Sequence, residues 1–454
     1  MQRNQSTRSS FTVGHPGDDW IGVLLGVYLF GLVINTHPAL NLWIGGIEVF
    51  RPDRVLVIPF VGYYLLCNVE LRITEPVLFG IAFFATMALS AVTNGVASGT
   101  FLSLSIQYVY VLGVFILMTS LQLSTDQLRG LLRFLVLMFA LIALIGVVQA
   151  VTLNVPFLGP DAIPFRFSTY YGYRRPYSLT AEPSYLAMLL SSGVAVLFPA
   201  VVSNRPILFS QRNQRYLLWL LTVGVVVSGS MSGYLTLVGF LSVAVPVVLW
   251  IYGTNRTIVG KGLSGILGAL LVISVDTSFI RMLASRLSGL IVLLTELGGV
   301  SGSADIRLFR WLTAVEVWRE NPLLGVAPGG YEQYVIAHRP TTYLNPQRLV
   351  SVEGGWLPVL AMTGAVGFIL FVAIWGSILR QAVAVVSDSA RVYSSDLCLI
   401  GLSVVLVQLI GWTFTFSFVD PFRWAMIAVG YLLVLHAAAQ SSENCDGTTS
   451  PPSD

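Results

Sequence analysis

The chain has 454 residues, 55% of them hydrophobic and only 10% charged, with a net charge of +3, whereas ordinary soluble domains carry about 25% charged residues. That balance excludes a soluble globular protein, and a positive charge so small and dispersed offers no footing for nucleic acid. Cys67, Cys398 and Cys445 have no pairing spacing and no Cys/His cluster exists, so neither a disulfide framework nor a zinc site is supported.

The polar N-terminus, MQRNQSTRSSFTVGHPGDDW, leads into a full-length apolar run without a small-residue cleavage site and reads as a retained cytoplasmic tail. Apolar runs then predict twelve spans, at about 20–36, 54–69, 76–94, 101–123, 134–153, 184–203, 216–230, 233–252, 262–276, 356–378, 397–415 and 423–439. All must be helices, because lipid satisfies no backbone polar group. The expected fold is an all-α polytopic membrane protein with a single transmembrane domain over 1–439. A polar cytoplasmic tail, 440–454, is expected to be disordered.

Arginine sets the orientation. With the N-terminus inside, the tail and inner loops hold Arg3, Arg8, Arg72, Arg129, Arg133, Arg205, Arg212, Arg215, Arg256, Lys261, Arg380 and Arg391, and the short outer connections NGVASGT and GSMSG hold no charge. Both termini are then cytoplasmic, in the plasma or inner membrane. Two outer segments are long and arginine-bearing: 154–183, with Arg166, Arg174 and Arg175, and 277–355, with seven arginines. In the second, 280–297 and 305–320 have helical periodicity and read as interfacial helices, followed by the turn cluster NPLLGVAPGGY at 321–331.

Span interiors offer only Gln107, Gln149, Gln408 and His436, which weighs against an ion-coupled carrier. Any chemistry then lies at the outer face, where the tools are arginine, glutamate and one histidine. Arginine forks suit phosphate oxygens. No Walker loop, GxSxG elbow, HExxH or paired-Asp metal motif is present. Such a site fits a substrate that already carries phosphate as its leaving group, and at an outer membrane face the candidate is a lipid-linked diphosphate.

Three stretches carry a resemblance. RRPYSLTAEPSYLAMLL (174–190), RLFRWLTAVEVWRENPLLGVAPGGY (307–331) and LPVLAMTGAVG (357–367) resemble, in order and spacing, motifs of the O-antigen ligase and polysaccharide polymerase superfamily. The resemblance implies a glycosyltransferase of the C type, with a polyprenyl-diphosphate-linked sugar donor, an outer-face site, no metal or other cofactor, and inversion at the anomeric carbon. Two departures stand out. Glu353-Gly354 occupies the place of the His-Asn pair usual in the family's ligases, and Ala327 replaces a glycine of the Gly-x-Gly element.

Arg175 and Arg307 match the family register and are expected to bind the diphosphate. Arg174 and Arg310 are their neighbours, Arg310 sharing a helix face with Arg307 at i, i+3. Any of these could instead anchor a helix to headgroups. Glu182 is a further candidate, weighed against capping the helix that Pro183 starts. Glu353, by register, and His338, by its intrinsic pKa, compete as the general base. Trp311 and Trp318 read as interface-belt anchors rather than sugar platforms.

The expected function is polymerisation of lipid-linked oligosaccharide repeats, with transfer to another acceptor by a ligase, or non-catalytic export by a flippase, as alternatives. Expected partners are the polyprenyl-diphosphate-linked glycan donor, a glycan or lipid acceptor and membrane lipids, with a chain-length regulator and a flippase as candidate protein partners and no nucleic acid.

Overall fold

A computed structural model describes residues 19–34, 42–44, 47–50, 52–67, 69–96, 99–154, 167–170, 173–180, 182–252, 303–338, 355–388, 394–414 and 418–446. Described in chain order are α1 (Asp19–Ile34), β1 (Leu42–Ile44), β2 (Ile47–Phe50), α2 (Pro52–Leu66), α3 (Glu75–Thr93), α4 (Gly99–Ser120) and α5 (Thr125–Asn154). There follow β3 (Phe167–Tyr170), β4 (Tyr173–Pro176), α6 (Pro183–Val202), α7 (Gln211–Val227) and α8 (Met231–Tyr252). The remaining helices are α9 (Ser303–Glu320), α10 (Gly330–Ala337), α11 (Trp356–Asp388), α12 (Ser394–Phe414) and α13 (Pro421–Asp446).

The protein is an almost wholly helical, polytopic membrane protein. Among the described residues, eight helices are long and apolar enough to cross a bilayer: α3, α4, α5, α6, α8, α11, α12 and α13. Three other expected spans appear as the shorter helices α1, α2 and α7, of 16, 15 and 17 residues. The expected span 262–276 and helix 280–297 lie outside the described residues, whereas the expected helix at 305–320 is α9. Helix α13 continues through Asp446, into the stretch read from sequence as a disordered tail.

Two antiparallel hairpins, β1–β2 and β3–β4, interrupt the helical pattern. Strands of three or four residues are too short to show an alternating period, which is why the sequence reads them as loop. In β3–β4, Ser168 faces Arg175 and Thr169 faces Arg174.

Without a hydrophobic driving force between helices, packing in lipid depends on close approach and shape. Helix α6 is buried over most of its length. Where α12 crosses α13, a Cβ on Gly401 would lie 2.4 Å from the Gly430 carbonyl oxygen, so only glycine permits that contact. The indoles of Trp375, Trp412 and Trp424 tie α11, α12 and α13 together, with centroids 5.0 to 6.2 Å apart, each such pair contributing about 0.5–1.5 kcal/mol beyond its buried area.

Helix α11 breaks at Gly364, whose φ of 62° and ψ of −170° are non-helical. The turn cluster after α9 fills the break. Val326 and Ala327 N–H donate to the Ala361 and Met362 carbonyls at 3.1 and 2.9 Å, while Ala365 and Val366 N–H donate to the Pro322 and Leu323 carbonyls at 2.8 and 3.2 Å. The side chain of Asn94, just past α3, donates to the Gly325 carbonyl at 3.0 Å, and Ser90 Oγ lies 3.3 Å from the carbonyls of both Gly325 and Met362. This clasp fixes α9 and α10 on the end of the bundle where α3 finishes and α11 starts. Ala327 sits in it at φ 63°, a conformation costing a non-glycine residue about 1–2 kcal/mol. The departure from glycine therefore leaves the turn in place, under local strain.

The clasp requires Gly364, because a Cβ there would lie 2.2 Å from the Leu323 carbonyl. Gly364→Ala should therefore lower stability by about 3 kcal/mol or more. At Gly95, with positive φ but nothing within 4 Å of an added Cβ, the same change should cost only about 1–2 kcal/mol. Thermal unfolding of the detergent-solubilised variants measures the difference, and equal losses would mean the clasp contributes nothing.

Candidate functional site

The arginine pair sits on β4, and β4 is moored to α5 and α7. Tyr173 Oη donates to the Val227 carbonyl at 2.7 Å, Arg174 Nη1 to the Leu153 carbonyl at 3.3 Å, and Arg175 Nε to the Ser228 carbonyl at 3.3 Å. Both arginines are half-buried. The turn that follows dips between the helices. Ser178, at φ 53°, donates its hydroxyl to the Ile142 carbonyl at 2.8 Å, and that residue lies twelve positions before the end of α5, about 18 Å along its axis. Gln149 Oε1 accepts the N–H groups of Tyr177 and Ser178 at 3.1 and 2.8 Å. The segment read from sequence as part of an external loop is therefore partly an inserted one.

Glu182 is the N-cap residue of α6, as the capping reading expected, but its side chain makes no cap bond to the helix and the carboxylate instead accepts from Ser184 Oγ. It is solvent-exposed.

The other group of candidates stands on the clasped helices. Arg307 lies in the first turns of α9, where side chains are outside the described residues. Arg310 is only 3% exposed, and its carbonyl accepts from Tyr331 Oη at 3.0 Å. Glu332 caps α10 by accepting the Gly329 N–H. Burial pushes its carboxyl above the usual range, with the backbone donors acting in opposition, and burial likewise pushes the Tyr331 phenol up, opposed by the Arg310 cation. His338 ends α10, exposed, stacked on Tyr334 at 4.0 Å, with Nδ1 3.0 Å from the Tyr334 carbonyl oxygen. A carbonyl can only accept, so Nδ1 carries hydrogen and the lone pair of the neutral ring is on Nε2. Trp318 Nε1 donates to the Pro322 carbonyl at 3.2 Å, tying the helix to the turn cluster. Glu353 lies outside the described residues, two positions before Gly355. A Cβ on Gly355 would lie 2.9 Å from the Trp412 carbonyl oxygen, so the start of α11 abuts the end of α12.

Short connections link α3, α4 and α5, so the end of α3 and the end of α5 share one end of the bundle. Both arginine groups are at that end, but on different supports: β4 on α5 and α7, α9 and α10 on α11 and α3. Among the described residues no group of three or more His, Cys, Asp or Glu side chains could hold a metal ion.

Residues 216–372 match the family model for O-antigen ligase. That stretch is similar to an O-antigen ligase domain. No curated protein matches the chain. The matched stretch runs from α7 into α11 and includes Arg307, Arg310, His338, Glu353 and the clasp; Arg174, Arg175 and Glu182 precede it. The match covers the second and third of the three motifs and is consistent with the superfamily read from them; together with the apolar helices it supports O-antigen-related glycan transfer by a multi-pass membrane enzyme.

Beyond the ligase domain lies a residue the sequence reading missed. Arg423, in the first turn of α13, is 1% exposed. Its Nη1 donates to the Gln408 carbonyl at 2.8 Å, and the Asp420 carboxylate and Tyr185 hydroxyl are its electrostatic neighbours. Asp420 Oδ1 accepts the N–H of Phe422 and Arg423 at 3.0 and 3.3 Å. Gly411 makes the room, since a Cβ there would lie 2.7 Å from Nη1. The residue stands at the edge of an apolar run, where sequence gives no sign that the helix end is covered; the glycine one helical turn before the end of α12 is the only hint. Tyr185 is in the first turn of α6, so this cation joins α13 and α12 to the helix that follows the arginine strand.

Arg423→Met should destabilise by about 3–5 kcal/mol, because it leaves Asp420 buried beside no cation. The double variant Asp420→Asn, Arg423→Met keeps the cap and removes both charges, so it should recover much of the loss. A thermal-stability comparison in detergent decides this, and a double variant worse than Arg423→Met would show that the pair is not electrostatically coupled.

Proposed function

We propose that the protein is a C-type glycosyltransferase that polymerises polyprenyl-diphosphate-linked oligosaccharide repeats at the external face of the inner membrane. What carries this reading is the coincidence of an O-antigen ligase domain with two arginine groups at one end of an apolar helical bundle. Twelve spans, counting α1, α2, α7 and 262–276, would place both termini in the cytoplasm and this end outside. The polymerase reading is favoured by the EPSY form of the first motif and by Glu353-Gly354 in place of His-Asn. The family model's own description favours the second reading, a ligase that transfers the finished glycan to a lipid acceptor.

In either case the acceptor hydroxyl oxygen attacks the anomeric carbon, the carbon–oxygen bond to the diphosphate breaks, and the diphosphate leaves with the electron pair. Arg175 and Arg307, aided by Arg174 and Arg310, neutralise the charge that develops on the leaving group. No protein–sugar covalent bond forms, so the configuration inverts in one displacement, and the reading needs no metal. A base removes the acceptor's proton as the new bond forms. His338 suits that role through the free Nε2 lone pair that its Nδ1 contact leaves, and Glu353 suits it by its place in the motif.

Two experiments test the roles. Arg175→Ala and Arg307→Ala should each abolish product in a lipid-linked donor assay while the protein still inserts, and Arg→Lys should also impair it, because an ammonium lacks the bidentate fork. Arg319→Ala, on the exposed far end of α9, is the control; activity equal across the alanine variants would make the arginines ordinary interface anchors. For the base, Glu353→Gln and His338→Ala are compared at saturating donor, and the true base should lose about 10²–10⁴-fold in turnover. Retention of full turnover by both would remove protein base catalysis from the mechanism.

A further inference from the structure

The described arginine strand is held by one residue inside the membrane that no motif includes. Gln149 lies on α5, 2% exposed, five residues before the helix ends. Its carboxamide oxygen takes both backbone N–H groups at positions 177 and 178, two and three residues past Arg175. These two amides stand where the chain leaves β4 and turns into the bundle, and Ser178 is in the left-handed conformation there. The turn's own backbone bond, from the Thr180 N–H to the Tyr177 carbonyl at 3.0 Å, leaves these two amides to an acceptor outside it. In a water-free interior each unmet amide costs about 1–3 kcal/mol, so the conformation of 177–178 depends on an acceptor being at this place.

We propose that Gln149 is a positioning residue for the reaction, fixing where the guanidinium groups of Arg174 and Arg175 meet the donor's diphosphate. The proposal rests on the reading of the chain as a lipid-diphosphate transferase. The geometry of the anchor explains why an amide serves. Two N–H donors converge on a single oxygen, which a hydroxyl on a shorter side chain could not reach from the helix axis. A neutral acceptor also holds the backbone without competing with a phosphate for the arginines. Ser178 Oγ, bonded to the Ile142 carbonyl, pins the other side of the same turn, so displacement of the carboxamide frees the strand end nearest Arg175 while the far end stays moored through Tyr173.

The test uses the full-length protein in membranes with a lipid-linked oligosaccharide donor. Gln149→Met keeps the side-chain length and removes the acceptor. It should raise KM for the donor by about 10- to 100-fold, with kcat falling much less. In the Arg175→Lys background, where transfer is impaired but measurable, Gln149→Met should cost much less in kcat/KM than in the unaltered protein, because both changes act on the same contact. Should Gln149→Met fail to accumulate, Gln149→Asn, with its acceptor drawn back by one methylene, makes the same comparison. A loss confined to thermal stability with donor KM unchanged, or a full additive loss on top of Arg175→Lys, overturns the proposal and leaves the transferase reading standing. If Arg175→Ala itself transfers normally, the diphosphate role of the strand falls, and this proposal falls with it.

Discussion

A backbone amide inside a bilayer has only protein to bond, and this constraint bears on two of the places where the described chain departs from continuous helix. At Gly364 the departure exposes carbonyls at 361 and 362 and amides at 365 and 366, and the turn cluster 322–327 meets all four. At 177–178 it exposes two amides, and the Gln149 carboxamide meets both. Irregular backbone at such depth survives only where protein encloses it. The two irregular segments carry neighbouring site candidates: the clasp joins α9 to α10, and the inserted turn follows the arginine strand.

The same reasoning applies to charge. A cation inside a span costs about 2.5–3.5 kcal/mol on insertion scales, and Arg423 is held by neutral and anionic groups from two helices, with the room supplied by Gly411. By contrast, Arg205 Nη1 donates to both carboxylate oxygens of Asp396, at 3.0 and 3.1 Å, at the opposite end of the bundle, where the cluster around Gln214 also closes the α6–α7 loop. That end is knit by fixed, mutually satisfied pairs. At the hairpin end, Arg174 and Arg175 are half-buried and donate to the carbonyls of Leu153 and Ser228.

Much of this was legible in the residues. The apolar runs give the spans, the periodicity at 305–320 gives α9, and the Gly-x-x-Gly opening of LPVLAMTGAVG marks the break in α11 without revealing what fills it. The filling segment is 35 residues upstream of its partner at the closest bond, a separation over which no local pattern can report. Strands β3 and β4 escaped because four residues carry no usable period. Gln149 was visible as a polar residue in a span, and its partners were not, since the bond is to backbone and backbone has no sequence identity. Arg423 was hidden by its position, because an arginine at the end of an apolar run ordinarily reaches water and only tertiary cover keeps this one from it.

How the mooring is made bears on how the proposed chemistry could work. Among the anchors of β4 are a tyrosine hydroxyl, a carboxamide and the carbonyls of Leu153 and Ser228. A carbonyl dipole orients a guanidinium without removing its net charge. Under the proposed reading a phosphate oxygen would meet side chains already oriented, and the attraction would grow as the leaving group acquires charge in the transition state. Orientation in advance of the reaction is how such a site would favour the departing diphosphate over the bound one.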